Sequence, residues 1–253
     1  MIVLLSPAKS LDFEAKAHVS KHTEAKFLQE SEYLVKKLKK YSAQKIGKLM
    51  HISPALSDLN HQRFQEWSLP FDVNNSKQAA LAFRGDVYRG WSATTMSEED
   101  LDFAQDHVRI LSGLYGIIKP LDLIQPYRLE MGSKFVVTPT VKNLYAFWKK
   151  KLTAHLNDEV DGAIIVNLAS SEYFKSLNAN EVKGTIITPI FKDFKNEEYK
   201  IIMTYAKIAR GLMTRFIVTN RITEVEQIKA FDTDGYLYND VESNGNDWVF
   251  TRG

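Results

Sequence analysis

Two short apolar runs constrain the fold more than any other feature of the sequence. Residues 1–5 (MIVLL) and 163–168 (AIIVNL) are almost continuously apolar and too short for typical helices. Runs of this kind predict buried strands. Helical and strand patterns alternate through the rest of the chain, and no segment repeats. The sequence therefore predicts a mixed α/β fold.

Caps and turn residues divide the remainder into further elements. A helix is predicted over 23–50, and Ser53-Pro54 supplies the cap and first residue of a helix that extends to residue 67. Ser97 followed by three acids predicts another helix start, because acids favour the positive end of the helix dipole. Also predicted are strands at 78–88, 185–191 and 199–203, a helix at 206–218 and a closing hairpin over 236–250. No Pro-, Gly- or Ser-rich linker divides residues 1–253, which favours a single domain.

Composition narrows the class of protein. The chain has 253 residues, 44% of them hydrophobic and 25% charged, which is typical of a soluble globular protein. It contains no cysteine, which excludes disulfides, thiolate nucleophiles and cysteine-ligated zinc and suits a reducing compartment. The N-terminal run IVLLS is too short for a signal peptide or a membrane span. We therefore expect a cytoplasmic protein without a membrane partner or an obligate protein partner.

The formal net charge of only +2 hides an uneven distribution. Six lysines and no acid occur between Lys36 and Lys48, whereas the stretch from Glu224 onward is mostly acidic. Apolar residues beneath the lysines follow near-helical spacing, which predicts an amphipathic helix with a basic outer face. Such a face is either simply solvated or a surface for phosphate.

The run 109–131 (RILSGLYGIIKPLDLIQPYRLEM) sets glycines beside a dense group of reactive side chains. Gly113 and Gly116 let the backbone adopt positive φ or approach a ligand closely. Arg128 and Glu130 share one face of an extended segment, and Asp122 lies upstream. Paired carboxylates beside an arginine permit general acid–base catalysis, although an ion-pair network has the same sequence pattern. Candidate ligand contacts in this run are Ser112, Gly113, Tyr115, Gly116 and Tyr127.

Two further blocks place charge beside predicted strands. The loop SPAKS follows the first strand, where open α/β sheets usually bind ligands, so Ser6 is a candidate contact and Lys9 is either a phosphate ligand or a surface lysine. In FRGDVYRG (83–90), Asp86 lies between Arg84 and Arg89. It is either a general base or the ion partner of these arginines.

Polar groups also follow the 163–168 strand and occupy the 206–218 helix. Asn167, Ser170 and Tyr173 are candidate contacts for a base or sugar, Glu172 is a candidate acid or base, and helix capping explains Ser170 equally well. The second group is a helix that carries Lys207, Arg210, Gly211 and Arg215. A glycine inside a helix costs about 1 kcal/mol relative to alanine, so Gly211 indicates a close approach by something else.

Signals for metals and cofactors are weak. His18 and His22 are four residues apart, but no HExxH pattern or carboxylate cluster completes a site. No GxSxG elbow supports a serine triad, and the phosphate-binding glycines of a Walker loop are missing. We predict no metal and no cofactor.

Five blocks resemble the YaaA family of peroxide stress resistance proteins, in consistent order along nearly the whole chain. They are SPAKSLDF (6–13), FRGDVYRG (83–90), RILSGLYGIIKPLDLIQPYRLEMG (109–132), VNLASSEYF (166–174) and YAKIARGLMTRFI (205–217). The resemblance implies a single α/β domain of unusual topology that binds DNA through a positively charged cleft and a helix-hairpin-helix-like element. It also implies a role in limiting DNA damage under hydrogen peroxide. Because the chain has no cysteine and no haem-ligand motif, a role on the damaged target or on iron levels (iron homeostasis) is favoured over direct peroxide reduction.

The turn Gly113-Leu114-Tyr115-Gly116 is the candidate for that helix-hairpin-helix-like element. It has one more residue between its glycines than the usual motif, and Pro120 limits a second helix. If the motif lies here, Lys119 supplies charge for a phosphate contact that does not depend on base sequence.

Two hypotheses from different classes follow. The first is a protein that binds duplex or distorted DNA, with phosphates held by Lys9, Lys119, Arg128, Lys207, Arg210 and Arg215. The second is an enzyme that acts on a nucleobase, nucleotide or damaged DNA, possessing an N-glycosidase-like or repair activity. Its acid and base candidates are Asp86, Asp122, Glu130 and Glu172, with Tyr127 or Tyr173 stacking on the base. Both hypotheses predict that the blocks converge on one cleft.

Overall fold

The computed structural model describes residues 1–253 and contains a central mixed sheet surrounded by helices. The strands are β1 (Ile2–Leu5), β2 (Ser10–Leu11), β3 (Lys77–Gln78), β4 (Phe83–Arg84), β5 (Val108–Ser112), β6 (Gly116–Ile118), β7 (Leu123–Ile124), β8 (Ile165–Asn167), β9 (Ile186–Lys195), β10 (Glu198–Lys200), β11 (Leu237–Tyr238) and β12 (Asp247–Arg252). The main sheet has the order β11-β12-β9-β8-β1-β5-β6, with β10 also paired to β9. The predicted mixed α/β class is confirmed.

The helices cover this sheet and pack on it as one continuous hydrophobic core. They are α1 (Leu28–Leu38), α2 (Ala43–Met50), α3 (Pro54–Glu66), α4 (Ala79–Ala82), α5 (Asp86–Trp91), α6 (Glu98–His107), α7 (Leu144–Val160), α8 (Ser171–Phe174) and α9 (Met203–Thr219). Four 3-10 turns lie at Ala93–Thr95, Ala179–Glu181, Val225–Ala230 and Thr233–Gly235. None of the helices combines the length and the apolar character needed to cross a membrane.

Strand β1 forms the centre of the sheet and is buried along its whole length. It pairs in parallel with β5 on one side and with β8 on the other; Val3, for example, lies opposite both Val108 and Val166. Because all three strands run in the same direction, their carboxyl ends meet at one edge of the sheet. This edge carries the loops that follow Leu5, Ser112 and Asn167.

The capping predictions at Ser53 and Ser97 are confirmed, whereas Ser170, before α8, makes no capping hydrogen bond with its side chain. The Ser53 side chain accepts a hydrogen bond from the Leu56 amide, and Pro54 is the first residue of α3. Ser97 and Asp100 form a reciprocal capping box at the start of α6. Helix α9 and the closing antiparallel pair of β11 and β12 also lie where the sequence predicts them.

Two predicted elements are wrong in their extent. The helix expected over 23–50 begins only at Leu28 and breaks between α1 and α2, where Ser42 caps the second helix by accepting from the Lys45 amide. The strand expected over 78–88 is instead β3, the short helix α4 and β4, followed by α5. In that region, antiparallel pairing of β3 with β7 and of β4 with β2 overrides the local apolar pattern.

The turn from Gly113 to Gly116 is not a helix-hairpin-helix element. It connects β5 to β6 as a β-hairpin, in which Ser112 lies opposite Gly116, so there are strands on both sides of the turn. Helices α2 and α3, joined by residues 51–53, do pack along each other as a helical hairpin. The element implied by the family resemblance therefore fits α2–α3 and not residues 113–116.

Gly211 allows two helices to touch through their backbones. A Cβ atom at Gly211 in α9 would lie 1.8 Å from the carbonyl oxygen of Val87 and 2.6 Å from the amide nitrogen of Trp91 in α5. The contact is reciprocal, because a Cβ at Gly90 in α5 would lie 2.2 Å from the carbonyl oxygen of Ile208. The close approach predicted from Gly211 is confirmed, and a neighbouring helix makes it.

We expect Gly211→Ala to destabilise the protein by about 3 kcal/mol, because α5 and α9 must separate to admit the methyl group. In an open helix the same substitution would stabilise by about 1 kcal/mol. Urea unfolding measures the difference, and Thr204→Ala, at an exposed position of α9, is the matched control. A stabilised Gly211→Ala protein would contradict the packing described.

Candidate functional site

The loops at the carboxyl ends of β1 and β8 are bonded directly to each other. The Ser170 amide donates to the Ser6 Oγ at 2.9 Å, and the two hydroxyl oxygens lie 3.2 Å apart. The Tyr88 hydroxyl donates to the Ser6 carbonyl at 3.0 Å, and the Asn167 Oδ1 accepts from the Ala169 amide at 3.2 Å. Ser6 and Ser170 therefore meet as predicted, and their first role is to fix the two loops together.

A charged group lies beside this contact. The Lys9 Nζ lies 2.7 Å from one carboxylate oxygen of Glu130, and an Arg128 guanidinium nitrogen lies 3.1 Å from the other. The Arg128 Nε is buried and has no hydrogen-bond partner. Lys9, Arg128 and Glu130 line a small cavity together with Tyr173. This arrangement places one carboxylate between two cations at the carboxyl edge of the sheet.

Glu172 and Tyr173 complete the group. The Glu172 carboxylate accepts from the Gly132 amide at 2.9 Å, which ties α8 to the end of the 109–132 segment. Burial raises the pKa of Tyr173 well above its ordinary value, so this phenol is a neutral hydrogen-bonding group at physiological pH. We call these residues the carboxyl-end cluster: Ser6, Lys9, Arg128, Glu130, Ser170, Glu172 and Tyr173.

Asp86 lies close to the carboxyl-end cluster. It is the first residue of α5, and the preceding Gly85 approaches Ala8 in the loop after β1. Its carboxylate is 3.6 Å from the Arg89 guanidinium, a distance that permits only a loose ion pair. The second arginine of the block, Arg84, pairs instead with Asp12 at 2.7 Å. Asp86 is thus less committed to a structural ion pair than the sequence pattern indicated.

Several predicted ligand contacts are buried in the core. Tyr115 is fully buried and accepts a hydrogen bond from the Trp67 indole at 3.0 Å, and Ser112 and Tyr127 share a buried hydrogen bond of 2.7 Å. A Cβ at Gly113 would lie 2.2 Å from the Leu129 carbonyl oxygen, and one at Gly116 would lie 2.8 Å from Trp148. At both glycines the space of a side chain is filled by other protein atoms. Of the five residues, only Tyr127 borders a cavity, the small one that Lys9, Arg128 and Glu130 line.

The three cations of α9 have different environments. Arg215 donates to the carbonyl oxygens of Trp91 and Ser92, both at 3.2 Å, and so caps the carboxyl end of α5. Lys207 is exposed and forms no ion pair. Arg210 is half-buried without a carboxylate partner, and burial lowers its pKa. Arg215 is structural, whereas Lys207 and Arg210 are free to meet an external anion.

Lys119 and Asp122 do not join the carboxyl-end cluster. They follow β6, which runs antiparallel to β5, so they lie beside the amino end of the parallel strands. Asp122 is buried and accepts hydrogen bonds from the Thr23 hydroxyl at 2.6 Å and the Lys119 amide at 2.8 Å. The expectation that all blocks converge on one cleft is wrong for these two residues, because the hairpin reverses the chain.

Around Lys119 lies an ion network that the sequence did not indicate. Glu159 of α7 accepts from Arg109 at 2.7 Å and lies 3.3 Å from the Lys119 Nζ. The Arg109 side chain is only 5% exposed. Burial by itself would raise the pKa of Glu159, but hydrogen bonding and charge from Arg109 outweigh it and hold the pKa below its ordinary value. This network attaches α7 to the sheet.

Sequence reasoning also missed Tyr88 and Gly132, which position the carboxyl-end cluster. Tyr88 lies inside the FRGDVYRG block, for which the predicted site residues were chosen among the charged side chains alone. Its contact with Ser6 joins residues 82 positions apart, so no local pattern reveals it. No group of three or more His, Asp or Glu side chains is arranged to hold a metal ion.

The fold and the cluster define the class: a mixed α/β protein with a charged polar site at the carboxyl edge of its parallel strands. Residues 1–242 match the family profile described as Peroxide stress protein YaaA. The chain belongs to this family, and the family resemblance of its five blocks is confirmed.

Whole-length relatives support the assignment. A UPF0246 protein of Dechloromonas aromatica is 52% identical over 255 aligned positions, which cover 100% of this chain and 99% of the relative. UPF0246 proteins of Paraburkholderia phytofirmans and Saccharophagus degradans are 52% and 51% identical and are covered over 98% and 99% of their lengths.

We expect Glu159→Gln to destabilise the protein by about 3 kcal/mol at neutral pH, because it leaves the buried Arg109 without its counter-charge. A carboxylate whose folded pKa is depressed stabilises above its unfolded pKa of about 4.3, and this contribution is lost as the pH falls through the folded value. Urea unfolding at several pH values should therefore show the two proteins converging on acidification. Glu242→Gln, in a surface pair with Lys192, is the control. An equal difference at every pH would contradict an ionic role for Glu159.

Proposed function

We propose that this member of the peroxide stress family binds duplex or distorted DNA through phosphate contacts and protects it from oxidative damage. Family membership supplies the stress context, and the distribution of cations supplies the binding chemistry. Binding of this kind depends on the density of free positive charge more than on net charge. The small net charge of +2 is therefore compatible with it.

The single observation that carries the proposal is the group of unpaired lysines beside the α2–α3 hairpin. Of the six lysines between Lys36 and Lys48, only Lys36 forms an ion pair, with Glu32 at 2.9 Å. Lys40, Lys45 and Lys48 are exposed and have no carboxylate partner. We call α2, α3 and these three lysines the basic hairpin. The hairpin also carries two acids in α3, but they form no ion pair with these lysines, so the surface is net positive and suited to a polyanion.

The geometry of the basic hairpin suits a backbone contact. Its turn, residues 51–53, precedes the amino end of α3, where backbone amides and the helix dipole favour an anion. Contacts of this type read phosphate position and carry no base sequence. The lysines and the amino end of α3 therefore support a helix-hairpin-helix-like element at α2–α3 instead of at residues 113–116.

The predicted phosphate ligands divide into two groups. Lys9, Arg128, Lys207 and Arg210 remain candidates, although Lys9 and Arg128 already share Glu130. Lys119 does not lie at the carboxyl edge of the sheet and pairs with Glu159, and Arg215 caps a helix. We therefore retain the first four residues as secondary to the basic hairpin.

We expect the triple variant Lys40→Gln, Lys45→Gln, Lys48→Gln to bind DNA more weakly and with a smaller salt dependence. Each lost phosphate contact should reduce the slope of log K against log salt by about 0.9. Fluorescence anisotropy with duplex and bulged DNA across a salt series measures this slope. Lys183→Gln, an exposed lysine that forms no ion pair, serves as the control. An unchanged slope in the triple variant would exclude the basic hairpin.

A second candidate function is an enzymatic one, on a nucleobase, nucleotide or damaged DNA. The observation that favours it is the concentration of Glu130, Glu172 and Tyr173 with two cations beside a small cavity. Pure phosphate binding has no need for these acids. Glu130 and the nearby Asp86 are the best acid or base candidates, whereas Asp122 is buried in a structural turn.

Amide variants separate the two functions. We expect Glu130→Gln and Asp86→Asn to keep or raise DNA affinity, because each removes a negative charge near the bound phosphates. If the protein is an enzyme, the same variants abolish base release or strand scission, which denaturing gels detect. Intact DNA with the wild-type protein, on all the structures tested, would leave binding as the function.

A further inference from the structure

A further cavity lies apart from the carboxyl-end cluster and from the three lysines of the basic hairpin. Its volume is about 740 Å³, and it is bounded by the end of α3, the segment after β2 and the chain leading into β3. None of the predicted site residues lines it. Gln125 and Pro126 do line it, and the residues that follow them, 127–130, line the small cavity of the carboxyl-end cluster. The two cavities are thus neighbours along one segment.

Arg63 gives this cavity an unusual electrostatic feature. The residue lines the cavity and is half-buried, yet its guanidinium forms no ion pair. Its one side-chain hydrogen bond, to the Asn60 Oδ1, is long at 3.5 Å. Burial lowers the pKa of Arg63, and no acid counteracts this effect. A charge that is partly withdrawn from water without a partner is unfavourable, so an external anion would stabilise it.

Three cations, Arg63, Lys16 and Lys77, and two acids, Glu14 and Glu66, line the cavity, so its charge is net positive. Lys16 lines the cavity, is exposed and has no ion-pair partner. Lys77 is buried and donates to the carbonyl oxygens of Asp12 at 3.0 Å and Ala15 at 2.6 Å, which holds the cavity wall in place. The Glu66 carboxylate, also at the cavity, is engaged by the Gln62 side chain at 2.7 Å and not by Arg63.

The remaining walls suit an apolar body. Phe13, Val73 and Pro126 contribute apolar surface to the same cavity. A volume of about 740 Å³ is far larger than an inorganic ion needs and lies in the range of sites for small organic ligands. A ligand matched to this cavity therefore has both an anionic group and an apolar portion.

We propose that this cavity binds an organic anion of about nucleotide size, with its anionic group on Arg63 and Lys16 and its apolar part against Phe13 and Val73. The proposal does not depend on Lys40, Lys45 or Lys48 of the basic hairpin, although Arg63 belongs to its helix α3. A nucleotide has this chemistry whether it is free or belongs to a DNA strand held at the neighbouring carboxyl-end cluster, and experiment distinguishes these two sources.

Isothermal titration calorimetry of the full-length protein with adenosine 5′-monophosphate and with citrate tests the site. Adenosine, which lacks the anionic group, and inorganic phosphate, which lacks the apolar portion, are titrated for comparison. We expect at least one of the two organic anions to bind, and Arg63→Met to weaken it by about tenfold or more. Lys16→Met should have a smaller effect, and Ala15→Trp should block the cavity from an exposed position. Lys183→Met is the matched control and should leave the affinity unchanged.

The melting temperature separates a binding role from a structural one. Removing a half-buried charge that lacks a partner should leave the melting temperature of Arg63→Met unchanged or raised. A lowered melting temperature with unchanged ligand affinity would mean that Arg63 only stabilises the end of α3, and would overturn the proposal. Failure of both organic anions to bind the wild-type protein at millimolar concentration would overturn it too.

Duplex DNA affinity identifies the source of the anion. If Arg63→Met loses the organic anion but keeps its DNA affinity, the cavity serves a free small molecule. If both affinities fall together, and Ala15→Trp has the same effect, a nucleotide of the strand occupies the cavity. Either result supports the site, and neither depends on the lysines of the basic hairpin.

Discussion

The parallel pairing of β1 with β5 and β8 is the constraint on which the rest of the structure depends. Val3, Leu4 and Leu5 are fully buried, so this strand must be covered by neighbours and helices on every side. Its pairing with β5 and β8 also fixes where their carboxyl ends meet. Loops from three distant parts of the sequence are thereby brought to one edge, and the hydroxyls of Ser6 and Ser170 come into contact although 164 residues separate them.

Charged residues in this protein serve two purposes that sequence alone does not separate. Arg109 pairs with an internal carboxylate, and Arg215 donates to carbonyl oxygens at the end of a helix. Arg63, Arg210 and Lys48 have no carboxylate partner at all. A positive charge without a carboxylate partner is unfavourable for the half-buried arginines unless a bound anion neutralises it. Binding surfaces are therefore better identified by the absence of an internal counter-charge than by the number of cations.

The features that could be predicted from sequence are those whose cause is local. Ser53 and Ser97 cap helices through amides three residues away, so their chemistry is visible in the sequence. The failures have non-local causes: the 78–88 segment follows its pairing with β2 and β7, and Gly113 is a glycine because Leu129 approaches it. The site was predicted in part for the same reason. Lys9 follows the end of β1 and meets Glu130 as expected, whereas Lys119 and Asp122 lie elsewhere because a hairpin reverses the chain before them, and the glycine spacing did not specify that turn.

The two surfaces must contribute differently to any complex with a polyanion. Within the carboxyl-end cluster, Lys9 and Arg128 are offset by Glu130 and Glu172, so its net field is small. In the basic hairpin, no acid lies between Lys36 and Lys48, and the two acids of α3 form no ion pair with its lysines. Long-range attraction, and with it most of the salt dependence, therefore arises at the hairpin. The carboxyl-end cluster acts only over hydrogen-bonding distance. At that distance, a carboxylate between two cations can distinguish one local geometry of a polyanion from another. Under the proposed function, a nucleic-acid strand would thus be attracted at the basic hairpin, and its local geometry would be distinguished at the carboxyl-end cluster.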